Sequence, residues 1–154
     1  MDIKWDKKQF KAIANEFVRE YQQQLSNFDA NATGALSRTA KSDVEINGPM
    51  ITLYAELEPE WKWVENGRKP GGKFPPRQAI LDWMKVRNIL PRGPKPISQE
   101  SLAFLIQRKI AVKGIEPRPA LHNAAEEIVD EFINEVYRQF DKYLQESIED
   151  TTEN

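Results

Sequence analysis

The chain has 154 residues, 40% of them apolar and 30% charged, which fits one globular domain with a real core and leaves no room for two of ordinary size. There are no cysteines and a single histidine, His122, so disulfides, thiolate chemistry and a zinc site of Cys/His type are excluded. A net charge of −2 hides a segregation: residues 1–60 carry 7 basic and 10 acidic side chains, residues 61–114 carry 12 and 3, and residues 115–154 carry 3 and 11. The local balances are therefore −3, +9 and −8. These zones either face each other within the fold or offer complementary surfaces to another molecule.

In chain order, Asp6 caps a first helix in which Phe10, Ile13, Ala14, Phe17, Val18, Tyr21 and Leu25 recur at helical spacing. The small and turn-forming residues of NFDANATGA end it. From Ser42 the period changes to two: Val44 and Ile46, a turn at Asn47-Gly48-Pro49, then Ile51, Leu53 and Ala55, which predicts a β-hairpin. Residues 59–76 show no sustained period and are expected to be a long loop, the start of a basic insert over about 59–97. Within that insert Pro75-Pro76 introduces a short helix with Ala79, Ile80, Trp83, Met84 and Val86 on one side. Ser98 caps another, with Leu102, Leu105, Ile106 and Ile110 as its apolar stripe and Gly114 as its left-handed end.

Ile115–Arg118 is expected to add a short strand, after which Pro119 opens a long last helix. Leu121, Ala125, Ile128, Phe132, Val136, Phe140 and Tyr143 form one stripe on it, and Val129, Ile133, Tyr137, Leu144 and Ile148 a second. So wide an apolar face exceeds what one small sheet can cover, and part of it is expected to meet another subunit. The acidic tail over about 146–154 is expected to fray. The fold class is α+β: a long N-terminal helix, a small antiparallel hairpin, two middle helices and a long C-terminal helix in one domain, 1–154. No apolar run spans a bilayer, and the opening MDIKWDKKQF has no apolar core typical of a secretory signal, so a chain working where it is made is expected.

Gly67–Phe74, GRKPGGKF, fits all but the last position of the phosphate-loop pattern. The chemistry fails. Phe74 stands where a magnesium-binding hydroxyl belongs, Pro70 removes an amide donor, and Pro75-Pro76 delays the helix that should follow Lys73 directly. His122 has no nucleophile motif around it, and Glu126, Glu127, Asp130 and Glu131 read as a solvated helix face before they read as metal ligands. No cofactor, metal or catalytic residue is expected. Nucleic-acid binding is the stronger alternative: within 61–95 the bases Lys62, Arg68, Lys69, Lys73, Arg77, Lys85, Arg87, Arg92 and Lys95 interleave with Trp61, Trp63, Phe74 and Trp83. Against it stand the predicted core position of Trp83 and a sequence pI of about 5.6.

The order of short signatures carries more than any one of them. TGALSRTA at Thr33–Ala40 precedes the hairpin, WKWVENGRKP at Trp61–Pro70 follows it, and KIAVKGIEPRPALHNAAEEI at Lys109–Ile128 comes last. The series resembles the tail-completion, or head-to-tail joining, proteins of tailed bacteriophages and prophages, with their T-G-x-L, V-E-x-G and R-P-x-x-x-x-A segments. It covers roughly Phe10 to Phe140. Ala120 stands where the family usually has an aromatic, and the insert from Gly71 to Pro96 is longer than most and similar to versions from Bacteroidetes-type hosts.

The resemblance implies a non-enzymatic structural subunit that forms a homo-oligomeric ring in the virion neck or tail. It would be assembled in the bacterial cytoplasm between portal or connector and tail proteins, with genomic DNA passing nearby but not specifically bound, and with no membrane. It assigns Val64, Glu65 and Gly67 to the V-E-x-G segment and Arg118, Pro119 and Ala124 to the R-P segment, all architectural. Gly67 is expected to have a positive φ, and Arg118 to pair either with Glu65 or with an acid on a neighbour. Arg68, Lys69, Lys73, Phe74, Glu127 and Glu131 are the candidate subunit or partner contacts.

Overall fold

The computed structural model describes residues 3–30 and 34–152. Thr33, the first residue of the T-G-x-L segment, lies outside the described residues. Helix α1 (Lys7–Asn27) starts at Asp6, whose carboxylate accepts from the Lys8 N–H at 3.0 Å, and buries Phe10, Ile13, Ala14, Phe17, Tyr21 and Leu25. One short helix not foreseen in the sequence follows, α2 (Ala35–Thr39), entered through Gly34 at φ 74° and burying Leu36. Strands β1 (Lys41–Asn47) and β2 (Met50–Glu56) form a two-stranded antiparallel sheet with Val44 opposite Leu53 and Ile46 opposite Ile51. Alternate residues of β2 turn inward, as period two requires: Ile51, Leu53 and Ala55 are half-buried while Thr52 and Tyr54 are exposed.

The expected long loop contains helix α3 (Trp61–Asn66), a correction to the sequence reading. Six residues are too few for a helical period to register. Helices α4 (Arg77–Val86) and α5 (Gln99–Lys113) follow, and α6 (Ala120–Thr152) closes the chain. The short strand expected at Ile115–Arg118 reduces to one antiparallel bridge between Arg68 and Ile115. The tail expected to fray is helical through Thr152: no glycine or proline follows Pro119 to break the helix, and Lys142 pairs with Glu146 one turn on at 3.7 Å.

Two bodies result from this order. In the first, α1 is sandwiched by α6 and the hairpin. Tyr21, Leu25, Ala120, Ala124 and Ile128 build its larger cluster, and Phe10, Ala14 and Val44 a smaller one, with Phe10 and Phe132 rings 5.5 Å apart. Buried Gln139 ties the ends together, accepting from the Asp6 N–H at 2.6 Å and donating to the Asp6 carbonyl at 3.3 Å. The second body is the α4–α5 pair around Ile80, Met84 and Ala103.

Candidate assembly interface

The residues of the V-E-x-G and R-P segments lie far apart in sequence and meet in space. Glu65, at the end of α3, lies against the start of α6 and accepts from the Leu121 N–H at 2.9 Å and the His122 N–H at 3.0 Å, one carboxylate oxygen to each. These are two of the amides a helix N-terminus leaves without partners, and a negative charge there is favoured by the helix dipole. The Arg118 N–H donates to the Val64 carbonyl at 2.8 Å. Arg118 therefore joins the segments through its backbone, and the expected intramolecular Arg118–Glu65 ion pair does not form. Val64 packs on the main cluster, Pro119 is half-buried just ahead of α6, and Ala124 is fully buried within the cluster.

Beyond Glu65 the chain is cross-braced. Arg68 and Ile115 exchange two backbone hydrogen bonds of 2.8 Å, and the Gly71 N–H donates to the Ala111 carbonyl at 2.7 Å. Gly67, at φ 62° and buried, flanks this bridge on one strand, and Gly114, at φ 75°, flanks it on the other. A Cβ on Gly67 would lie 2.3 Å from the Ile115 carbonyl oxygen, and one on Gly114 2.1 Å from that of Arg68. Both positions demand glycine for conformation and for space.

The brace carries the α4–α5 body outward. Arg87 holds it to the loop after α1, its guanidinium bonded to the Asp29 carboxylate at 2.6 Å and the Asp29 carbonyl at 3.0 Å. Inside the pair the α5 face differs from the expected one. Ala103, Gln107 and Ala111 are buried and Leu102, Ile106 and Ile110 half-buried, while Leu105 is 49% exposed. Small Ala103 lets α4 approach, and buried Gln107 ties down the loop before α4 by donating to the half-buried Pro75 carbonyl at 2.6 Å. Trp83, expected in the core, is 37% exposed, because Ile80 and Met84 already fill the α5-facing side of α4.

Of the expected contact residues, Lys69 and Lys73 are exposed, the Arg68 guanidinium folds back onto the Lys73 carbonyl, and Phe74 packs against Phe104 with ring centroids 5.9 Å apart. Glu127 and Glu131 line a shallow cleft between α6 and α1 with Glu16, Arg19 and Glu20. No ion pair among the described residues joins the +9 segment to α6, whose pairs are His122–Glu126, Glu135–Arg138 and Lys142–Glu146. His122 is itself an exposed surface residue.

The second stripe of α6 is uncovered: Val129, Ile133, Tyr137, Leu144 and Ile148 are 38 to 64% exposed. It begins at an open apolar groove of about 870 Å³ between β2 and α6, walled by Leu53, Leu57, Trp61, Ala125, Val129 and Phe132. At about 100° per residue, Glu126 and Asp130 accompany this stripe, while Glu127 and Glu131 fall about 100° or more further round the helix, toward α1. The acids beside the apolar face are thus Glu126 and Asp130, both exposed to solvent as expected. Helical phase relative to the buried Ala124 and Ile128 distinguishes the two pairs. No helix among the described residues is long and apolar enough to cross a membrane. Comparison with protein-family models, curated proteins and solved structures finds no match.

Proposed function

We propose that this chain is a structural, non-enzymatic subunit of a tailed-phage virion that assembles into a ring in the neck or tail, as a tail-completion protein joins the portal or connector side to the tail side. The observation that carries the reading is the uncovered apolar stripe of α6 beside an open groove, on a molecule whose +9 and −8 segments form no ion pair with each other among the described residues. Contiguous apolar surface of that kind marks an interaction site. A heterologous contact between unlike surfaces closes into a ring when its rotation divides the circle. The resemblance in motif order supplies the setting, and the junction of Val64 and Glu65 with Arg118 and Leu121 gives those motifs a common architectural purpose.

In a neck the lumen must let duplex DNA slide, and a strongly basic wall would hold it. Arg68, Lys69 and Lys73 accordingly face a neighbouring protein. A ring structure with these three side chains on the lumen overturns that placement. Light scattering after size exclusion, followed by electron microscopy of the largest species, tests assembly; the reading requires ring-sized oligomers from the chain alone or with a portal partner.

A second reading, a small nucleic-acid-binding module, is favoured by one observation: Trp63 is 68% exposed on α3, among the bases of the insert. Salt-sensitive binding of single strands by a monomer, lost in Trp63→Ala, selects it over the ring.

A further inference from the structure

We infer that the outward face of α5 in one copy docks on the outward face of α6 in the next, giving a head-to-tail contact; this specifies the surfaces of the assembly proposed above and rests on that reading.

The two faces match in both chemistry and spacing. On α5, Leu105 and Val112 are 49% and 62% exposed, and exposed Arg108 and Lys109 lie between them at the three- and four-residue steps that share a helix face. On α6, Val129, Ile133 and Tyr137 are 46%, 43% and 63% exposed, and Glu126 and Asp130 sit at those same steps beside them. One face is apolar and basic, the other apolar and acidic. Among the described residues Arg108, Lys109 and Asp130 form no ion pair, and Glu126 meets His122, an exposed neighbour on its own helix, at 3.2 Å.

Self-pairing of either face sets like charges against each other, Glu126 and Asp130 on Glu126 and Asp130 or Arg108 and Lys109 on their copies. Such juxtaposition is what excludes wrong partners at an interface. Cross-pairing brings bases to acids and covers both apolar strips. It is also possible only between unlike surfaces, so each copy keeps one free α5 face and one free α6 face, and addition continues until a ring closes. Arg87 on Asp29 and the Arg68–Ile115 bridge fix how the α5 face is presented, as closure needs.

The chain's lack of cysteine makes the test direct. Val112→Cys and Ile133→Cys are made in separate chains, mixed at high concentration and oxidised; the mixed disulfide is expected well above either self-linked product. In parallel, Arg108→Glu and Glu126→Lys are examined by light scattering. Each alone is expected to weaken self-association at least about tenfold, and an equimolar mixture of Leu105→Asp with Ile133→Asp, each retaining one intact face, is expected to stop at a 1:1 complex. Wild-type oligomers that survive both charge reversals, with no mixed disulfide, overturn this pairing and leave the assembly reading standing. A wild-type chain that stays monomeric at every concentration, alone and with portal protein, together with cysteine variants that give no mixed disulfide, overturns both.

Discussion

The Glu65 carboxylate lies 2.9 Å from the backbone nitrogen of Leu121, and through that contact α3 caps a helix that begins more than fifty residues later in the chain. With the second bond to His122, one side chain satisfies two amides at the head of a 33-residue helix. Glu65→Ala is expected to destabilise the fold by about 2 kcal/mol, the range of a lost cap with one partly buried and one exposed donor. Glu65→Gln, which keeps one acceptor oxygen, should cost about half of that. Urea denaturation checks both values, and an Ala variant as stable as the wild type would sink the cap. Arg118→Gln, by contrast, keeps the Arg118 N–H on Val64 and should change stability by less than about 0.5 kcal/mol.

Gly67 and Gly114 stand on either side of the Arg68–Ile115 bridge, each with a carbonyl oxygen where a Cβ would be. Alanine at either position must strain a positive φ and push a paired strand aside, at a cost of about 2 kcal/mol or more. Gly71 is the control. Its φ of 80° is equally unusual but nothing lies within 4 Å of a Cβ there, so Gly71→Ala should lose only the backbone contribution of about 1 kcal/mol. Equal losses at all three positions would remove the close approach from the explanation.

Much of this fold is legible because its longest elements repeat their pattern. Phe10 to Leu25 mark α1 by period, Val44 to Ala55 mark the hairpin by alternation, and Ser98 and Gly114 bound α5. The second stripe of α6 was readable as surplus apolar width, and its residues are indeed uncovered. What escaped is short or non-local. The helices α2 and α3 are five and six residues long, below the reach of periodicity. The inward face of α5 was misjudged at Leu105 because pattern reading favours large apolar residues, whereas Ala103 and Gln107 are the ones buried. The contact of Glu65 with the Leu121 and His122 amides is not legible in the sequence, because a side chain that reaches backbone amides far along the chain leaves no spacing signal. That Glu127 and Glu131 lie on the α1 side follows only from the helical phase set by Ala124 and Ile128.

Tyr21 is 1% exposed, and burial first, with the Glu65 carboxylate second, pushes its hydroxyl up to about 12. The sign follows from proton counts. Between its ordinary value near 10 and about 12, the unfolded chain loses the Tyr21 proton while the folded chain keeps it, so stability is full below pH 10 and declines as pH rises through that window. The slope from this one group approaches about 1.4 kcal/mol per pH unit. Tyr21→Phe should therefore flatten the alkaline limb of a stability profile measured by urea denaturation from pH 9 to 12. A limb of unchanged steepness would assign alkaline loss to other groups.

The α4–α5 pair has its own apolar cluster around Met84, which is 1% exposed, and it joins the main body through the brace and the Arg87–Asp29 contact. Its opening should therefore separate from global unfolding, as regions with few shared contacts do. Met84→Ala truncates the largest fully buried side chain of that cluster and should cost about 2 to 5 kcal/mol locally. Native-state hydrogen exchange resolved by residue is the appropriate measurement. Amides of α4 and α5 are expected to exchange faster in the variant, while those of α1 and of α6 near Ala124 and Ile128 keep wild-type protection. If the slowest amides of α1 accelerate by the same factor, the two bodies unfold as one unit. The α5 face would then be presented by the whole fold and not by a separately stable arm.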